Sequence, residues 1–337
     1  MAQYLTNIVG NDALRQRLAA DILSNSFAHA YIIEGREGSG RHTLAYNLAA
    51  ALCCSGRNGD TFPCLKCEAC RKILENKTPD VILVGLEEDR VTIGVEASRF
   101  IRQDAMVVPN DFEYKIYIIE NADLMTDQAQ NALLLTLEEP HSYAVFFLLC
   151  NAASSLLETV RSRAPIIRTE PLSDKQLSEY LITNDSRAAA MASGNEEQFA
   201  NLLRDADGCI GKAQALLDPK KSKAESDRHQ LAESVVNAFA SKASVVTKAR
   251  LIKEFPVKRN DAVNVLRAVS LAIRDLIVLK KSDTAPLCFY SNREAATELS
   301  YRFTLSALFK LYQSVDDAIN SLSHNSNVRL TITSLIQ

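Results

Sequence analysis

A short apolar run, Ala30-Tyr31-Ile32-Ile33, is followed at once by Gly35-Arg36-Glu37-Gly38-Ser39-Gly40-Arg41-His42-Thr43 and then by an Ala- and Leu-rich stretch from Arg41 to Cys53. A strand, a glycine loop and a helix in that order are the setting of a phosphate-binding loop, with template G-x-x-x-x-G-K-[ST]. Gly35 and Gly40 fit the template, and Gly38 adds a third flexible position. The Lys that should reach the β and γ phosphates is Arg41. The hydroxyl that should bind magnesium is His42, and Thr43 falls one place too late. Arg is a longer planar fork where the loop calls for a compact point charge. An ordinary glycine turn between strand and helix accounts for the loop as well, although a helix N-terminus still attracts anions.

The acidic half of such a site belongs at the end of a later strand. The run Ile116-Tyr117-Ile118-Ile119-Glu120-Asn121-Ala122-Asp123 supplies that strand end. Glu120 stands where an Asp usually holds the metal. Asn121 stands where a water-activating Glu should be, and an amide cannot accept the proton. Four substitutions thus fall on the groups that do the chemistry while the apolar scaffold is kept. The residues predict an NTPase fold that does not hydrolyse ATP.

Further short runs rich in β-branched and aromatic residues lie at Val81–Val84, Lys115–Ile119, 144–149 and 165–168. Thr126 is placed to cap a helix that Pro140 stops, and Asn11 to cap one carrying Leu14, Leu18 and Ile22. Short strands alternating with helices predict a parallel sheet covered on both faces. After Pro171 the strand signals end. Short helices are expected from 173 to 217, then a polar linker, Asp218-Pro219-Lys220-Lys221-Ser222-Lys223, then helices only. The expected division is an α/β core at 1–170, a small helical domain at 171–221 and an all-α bundle at 222–337.

Five of the eight cysteines fall between Cys53 and Cys70. Cys64-x-x-Cys67-x-x-Cys70 with one more thiolate would complete a closed tetrahedral set, which suits structural zinc. Cys54 is the expected fourth ligand and Cys53 its adjacent competitor; an iron–sulfur cluster and reduced surface thiols are the other readings. Gly56, Asn58, Gly59, Asp60 and Pro63 supply the turns between the helix and the cluster.

With 38 basic and 41 acidic residues the net charge is −3, which excludes a histone-like binder. No stretch approaches 18 uncharged apolar residues and the start lacks a basic, apolar leader, so neither a membrane span nor a secretory signal is expected. A reducing, cytoplasmic setting is therefore expected, in which clustered thiols bind metal rather than pair.

Several motifs occur together in one order: His29-Ala30-Tyr31, the glycine loop, the cysteine knuckle, Thr78-Pro79-Asp80-Val81, and Ala122-Asp123-Leu124-Met125-Thr126. Gln130-Asn131-Ala132-Leu133-Leu134, Leu137-Glu138-Glu139-Pro140 and Arg161-Ser162-Arg163 follow. In these residues the chain resembles the bacterial clamp-loader subunits of DNA polymerase III, of the AAA+ class. The altered nucleotide site points to the delta-prime kind rather than the gamma/tau motor. By motif the resemblance runs from residue 5 to 217, and Asn325-Ser326-Asn327-Val328-Arg329-Leu330 is similar to the family's closing helix.

The resemblance implies an α/β AAA+ core with an inserted zinc knuckle, a helical lid and an all-α collar. It implies gamma/tau-type ATPase and delta subunits as partners, and the sliding clamp and primed DNA through the complex. It also implies that Arg163 acts in trans on a neighbour's ATP, although Ala164 stands where the family commonly has Cys. Glu138 and Glu139 lie at a helix end that disfavours negative charge, so a subunit contact, a cap or solvent must retain them. Lys212 lies near the family's second sensor; with an inactive site, 208–213 reads as a helix start. No chemistry is assigned to His29. Two other functions fit the same residues: an active gamma/tau-like ATPase, and a zinc-knuckle nucleic-acid binder, against which the near-neutral charge counts.

Overall fold

A computed structural model describes residues 3–57, 61–87, 90–241, 244–282, 284–323 and 326–336. The turn residues Asn58, Gly59 and Asp60, and Asn325 before the last helix, lie outside the described residues. The chain forms two compact units, residues 1–86 with 92–218, and 87–91 with 219–337.

In the first unit the elements run β1 (Gln3–Tyr4), α1 (Asp12–Leu23), β2 (Ala30–Glu34), α2 (Arg41–Leu52), β3 (Thr61–Phe62), α3 (Glu68–Leu74) and β4 (Val81–Val84). They continue as α4 (Val95–Asp104), β5 (Lys115–Ile119), α5 (Asp127–Glu138), β6 (Ala144–Cys150), α6 (Glu158–Arg161) and β7 (Ile166–Arg168). Five strands pair in the order β4-β5-β6-β2-β7, every pair parallel. Successive residues of a strand face opposite sides of the sheet. Accordingly Tyr31, Ile33, Ile116, Ile118, Phe147 and Leu149 enter one core, and Ile32, Tyr117, Ile119, Phe146 and Leu148 enter the other. Each such fully buried large side chain contributes about 1.5–3 kcal/mol relative to exposure. Parallel strands covered on both faces explain why these runs are apolar throughout rather than alternating.

Because the strands are parallel, their carboxyl ends share one edge. The glycine loop after β2, Glu120 after β5, Asn151 after β6 and Thr169 after β7 therefore lie along it. That edge is where open α/β sheets bind ligands. Thr126 caps α5 by accepting from the Ala129 N–H at 3.2 Å. Asn11 occupies the N-cap position of α1 without capping it. Its side chain instead pairs with Glu170, accepting from the Glu170 N–H at 2.8 Å and donating to its carbonyl at 3.2 Å.

The same unit continues with α7 (Asp174–Asn184), α8 (Ser186–Gly194), α9 (Glu196–Ala206) and α10 (Ile210–Leu217). These helices enclose their own small core, which includes Leu177, Leu181, Phe199 and Leu202. The second unit is helical: α11 (Pro219–Ala240), α12 (Val245–Glu254), α13 (Arg259–Leu279), α14 (Arg293–Tyr301), α15 (Leu305–Ser323) and α16 (Val328–Ile336). Asp275, fully buried in α13, accepts the N–H groups of Cys288, Phe289 and Tyr290 at 2.7–3.2 Å and so fixes the segment before α14.

The polar stretch expected as a linker at 218–223 lies at the boundary between the two units, but from Pro219 onward it is helical. Pro219 opens α11. Proline is favoured at the first helical position, where its missing N–H would have no partner and its fixed φ is already helical. The charged residues after it lie on that helix, which begins where the second unit begins. Among the described residues no helix is long and apolar enough to cross a membrane.

Candidate functional site

The glycine loop is held from three sides. A Cβ on Gly35 would collide with Thr169 Oγ1, and Ser39 Oγ lies 2.8 Å from the same hydroxyl. Gly38 adopts φ +77° and Gly40 φ +89°, a left-handed region that favours glycine. The Gly211 N–H at the start of α10 donates to the Gly38 carbonyl at 3.0 Å. Backbone lies on backbone at this contact: a Cβ on Gly211 would come within 2.8 Å of Gly38 Cα. Arg36 of the loop also pairs with Asp207. Gly208 to Ala213 is thus a helix start that seats against the loop, and Lys212 contributes its backbone there while its side chain stays exposed.

The positions expected to carry the chemistry are engaged otherwise. Arg41 is 6% exposed, folded inward, and its Nη1 has no hydrogen-bond partner. Its charge lies near Cys150, whose thiol burial pushes up to about 12 against the lowering effect of Arg41. His42 Nε2 pairs with Glu120 Oε1. Thr43 is exposed on α2 and does not join the group. Asn121 has φ +49° and opens the turn after β5, and Asn151 donates to Asp123 Oδ2 at 2.9 Å. The structure therefore brings Gly35, Gly38, Gly40 and Arg41 into one loop and sets Glu120 against His42. Neither the His42–Glu120 pair nor the Gly38–Gly211 contact carries a local sequence signal.

The thiols of Cys54, Cys64, Cys67 and Cys70 lie within 4.8 Å of one another. With metal–sulfur bonds of about 2.3 Å, a tetrahedral zinc site would separate its sulfurs by roughly 3.8 Å, so these four can close on one ion. Backbone N–H groups already point at sulfur: Cys64 to Cys54, Cys67 to Cys64 and Cys70 to Cys67, at 3.3–3.4 Å. Burial raises the Cys67 thiol, but hydrogen bonds from Cys70 and Ser55 outweigh it and bring it down to about 6. Burial raises Cys54 and Cys70. Cys53 stands apart, pushed up to about 12 by burial. Asp80 is fully buried and accepts the N–H groups of Asn110, Asp111 and Phe112 at 2.6–2.9 Å, a structural role for that acidic residue.

Arg163 follows α6 at the base of β7. It donates through Nη1 to the Thr159 carbonyl at 2.8 Å and to Ser162 Oγ at 3.1 Å, and through Nη2 it pairs with Glu138. That pairing accounts for a carboxylate at the end of α5. His29 Nε2 lies 3.0 Å from the Leu137 carbonyl, so this histidine serves the same helix end.

The family described as DNA polymerase III, delta subunit, matches residues 10–173. The chain is 29% identical over 200 residues to the delta-prime subunit of DNA polymerase III from Bacillus subtilis, covering 58% of this chain and 60% of that one. It is 36% identical over 135 residues to the delta-prime subunit of Yersinia pestis, covering 40% and 39%. It is also 29% identical over 222 residues to the tau subunit of Bacillus subtilis, covering 64% of this chain and 37% of that one. The chain spans less than two thirds of the length of each of these relatives.

Proposed function

Because this chain belongs to the AAA+ clamp-loader family of DNA polymerase III subunits, we propose that it serves in such a complex as a delta-prime-like subunit that does not hydrolyse ATP. The observation that carries this reading is the mutual engagement of His42 and Glu120. A bound magnesium ion would need both positions, one as a hydroxyl ligand and one as a carboxylate. Here each satisfies the other, and Arg41 is buried, with its charge near Cys150. Helices α7–α10 then act as a lid seated against the loop, and the second unit as a collar for assembly.

In this reading the chain contributes to hydrolysis from outside, through Arg163. A guanidinium at the rim of the sheet can approach phosphates held by an adjacent gamma/tau-type subunit, and its planar fork matches their oxygens. Such a residue stabilises charge on the transferring phosphoryl group and is worth on the order of a thousandfold or more in rate. The partners are the ATPase and delta subunits, with the sliding clamp and primed DNA reached through the complex. Cys54, Cys64, Cys67 and Cys70 hold one structural zinc that ties the end of α2 to α3. The knuckle contributes shape rather than chemistry, since four thiolates leave no position open for a substrate.

An active gamma/tau-like ATPase is the second reading, favoured by the match to tau over 64% of the chain. Reconstitution discriminates the two. The delta-prime-like reading expects one copy of this chain in a ring with gamma/tau-type and delta subunits, and clamp loading that depends on it. A ring that assembles and hydrolyses ATP from this chain alone would support the motor instead.

A further inference from the structure

Both terminal nitrogens of the Arg163 guanidinium are engaged within its own subunit. Nη1 donates to the Thr159 carbonyl and to Ser162 Oγ, both of the α6 turn, and Nη2 pairs with Glu138. Glu138 is the last residue of α5, and the final turn of that helix carries no basic residue of its own. Its carboxylate faces the negative end of the helix dipole, so a cation from elsewhere in the fold is the natural remedy. Arg163 is that cation, brought over from a different element. The pair is accessible: the Arg163 side chain is 33% exposed and that of Glu138 42%. An ion pair open to solvent is weak and exchangeable. A phosphate oxygen takes up the same fork of N–H donors with more charge.

We propose that Glu138 is a positioning residue that parks Arg163. It holds the guanidinium back on its own subunit until a neighbour's nucleotide phosphate displaces the carboxylate. This rests on the reading that Arg163 acts in trans. Glu138 touches no nucleotide; it sets how often the guanidinium is free to do so. Release of Arg163 leaves Glu138 uncompensated at a helix end, so parking opposes engagement and makes hydrolysis depend on a closely docked neighbour.

The test is steady-state Mg-ATP hydrolysis by the complex assembled from this full-length chain with gamma/tau-type and delta subunits, with and without clamp and primed DNA. Glu138→Gln keeps the volume and removes the charge. Loss of a solvent-open pair raises the free fraction of its partner by roughly twofold to fivefold. The expected result is therefore a rise of that order in kcat without DNA, an unchanged KM for ATP, and a smaller stimulation by DNA. In an Arg163→Ala background Glu138→Gln should change nothing. An unchanged or lowered DNA-independent kcat in Glu138→Gln overturns the proposal, as does a rise that persists without Arg163. Arg163→Ala alone decides the underlying reading separately: if that complex hydrolyses ATP like the parent, the trans role fails and the parking proposal fails with it. If Arg163→Ala lowers hydrolysis while Glu138→Gln is silent, only the parking proposal fails.

Discussion

His42 Nε2 and Glu120 Oε1 meet across the carboxyl edge of the sheet, one from the first turn of α2 and the other from the end of β5. The side chains are 48% and 28% exposed, so the pair contributes no more than about 1 kcal/mol to stability. Its consequence is for chemistry: the two positions that would share a magnesium ion are closed on each other. His42→Ala is accordingly expected to shift the denaturation free energy by less than about 1 kcal/mol and to leave the chain without ATPase activity. Urea titration and a phosphate-release assay on one preparation check both halves.

The thiol cluster predicts one zinc per chain. Cys67→Ser should abolish stoichiometric zinc and unfold the knuckle, leaving the parallel sheet intact by circular dichroism. Structural zinc supplies roughly 10 kcal/mol or more to the folding of such sites. Binding requires deprotonated sulfur, and burial raises Cys54 and Cys70, so those protons must leave when metal enters. Affinity should therefore fall as pH falls, with Cys67 taking up its own proton near pH 6. Elemental analysis giving iron, or no metal, counts against the zinc assignment.

Two glycines of one loop should respond differently to alanine. At Gly38 a Cβ would meet the Lys212 backbone nitrogen at 2.6 Å and keep φ at +77°, so loop and α10 must separate. At Gly40 the space is open and only the positive φ of +89° is opposed. Gly40→Ala should cost about 1 kcal/mol and Gly38→Ala distinctly more, on the order of 2–3 kcal/mol. Equal losses in chemical denaturation would mean that the α10 contact contributes nothing.

The strands were legible because apolar runs of four to six residues between helical patterns leave few alternatives, and β2, β4 and β5 fall where the runs lie. The cap at Thr126 was legible for the same local reason. The charged, polar stretch at Pro219 marked the division between the two units but not its form, because the proline there opens a helix that lies wholly beyond it. Asn11 misled because its side chain bonds Glu170, 159 residues away, which local pattern cannot reveal. The site divides likewise. The thiol spacing was local, and Cys54 rather than Cys53 joins the cluster because only its sulfur turns toward Cys64. The partners of His42, Gly38 and Arg163 come from other elements and depend on the finished fold.

Arg163→Ala should leave zinc content and ring assembly unchanged and lower the DNA-stimulated ATPase of the complex, and with it clamp loading. The affected site should lose on the order of a thousandfold in rate. Arg161→Ala, two residues away on the same turn, should do much less. Equal effects from both variants would indicate general electrostatics.

Mg-ATP turnover by the purified chain decides whether this chain's own loop hydrolyses nucleotide. No turnover above a protein-free control is expected, with or without primed DNA. Turnover that rises with protein concentration and disappears in Gly40→Val would contradict it and make this chain a motor.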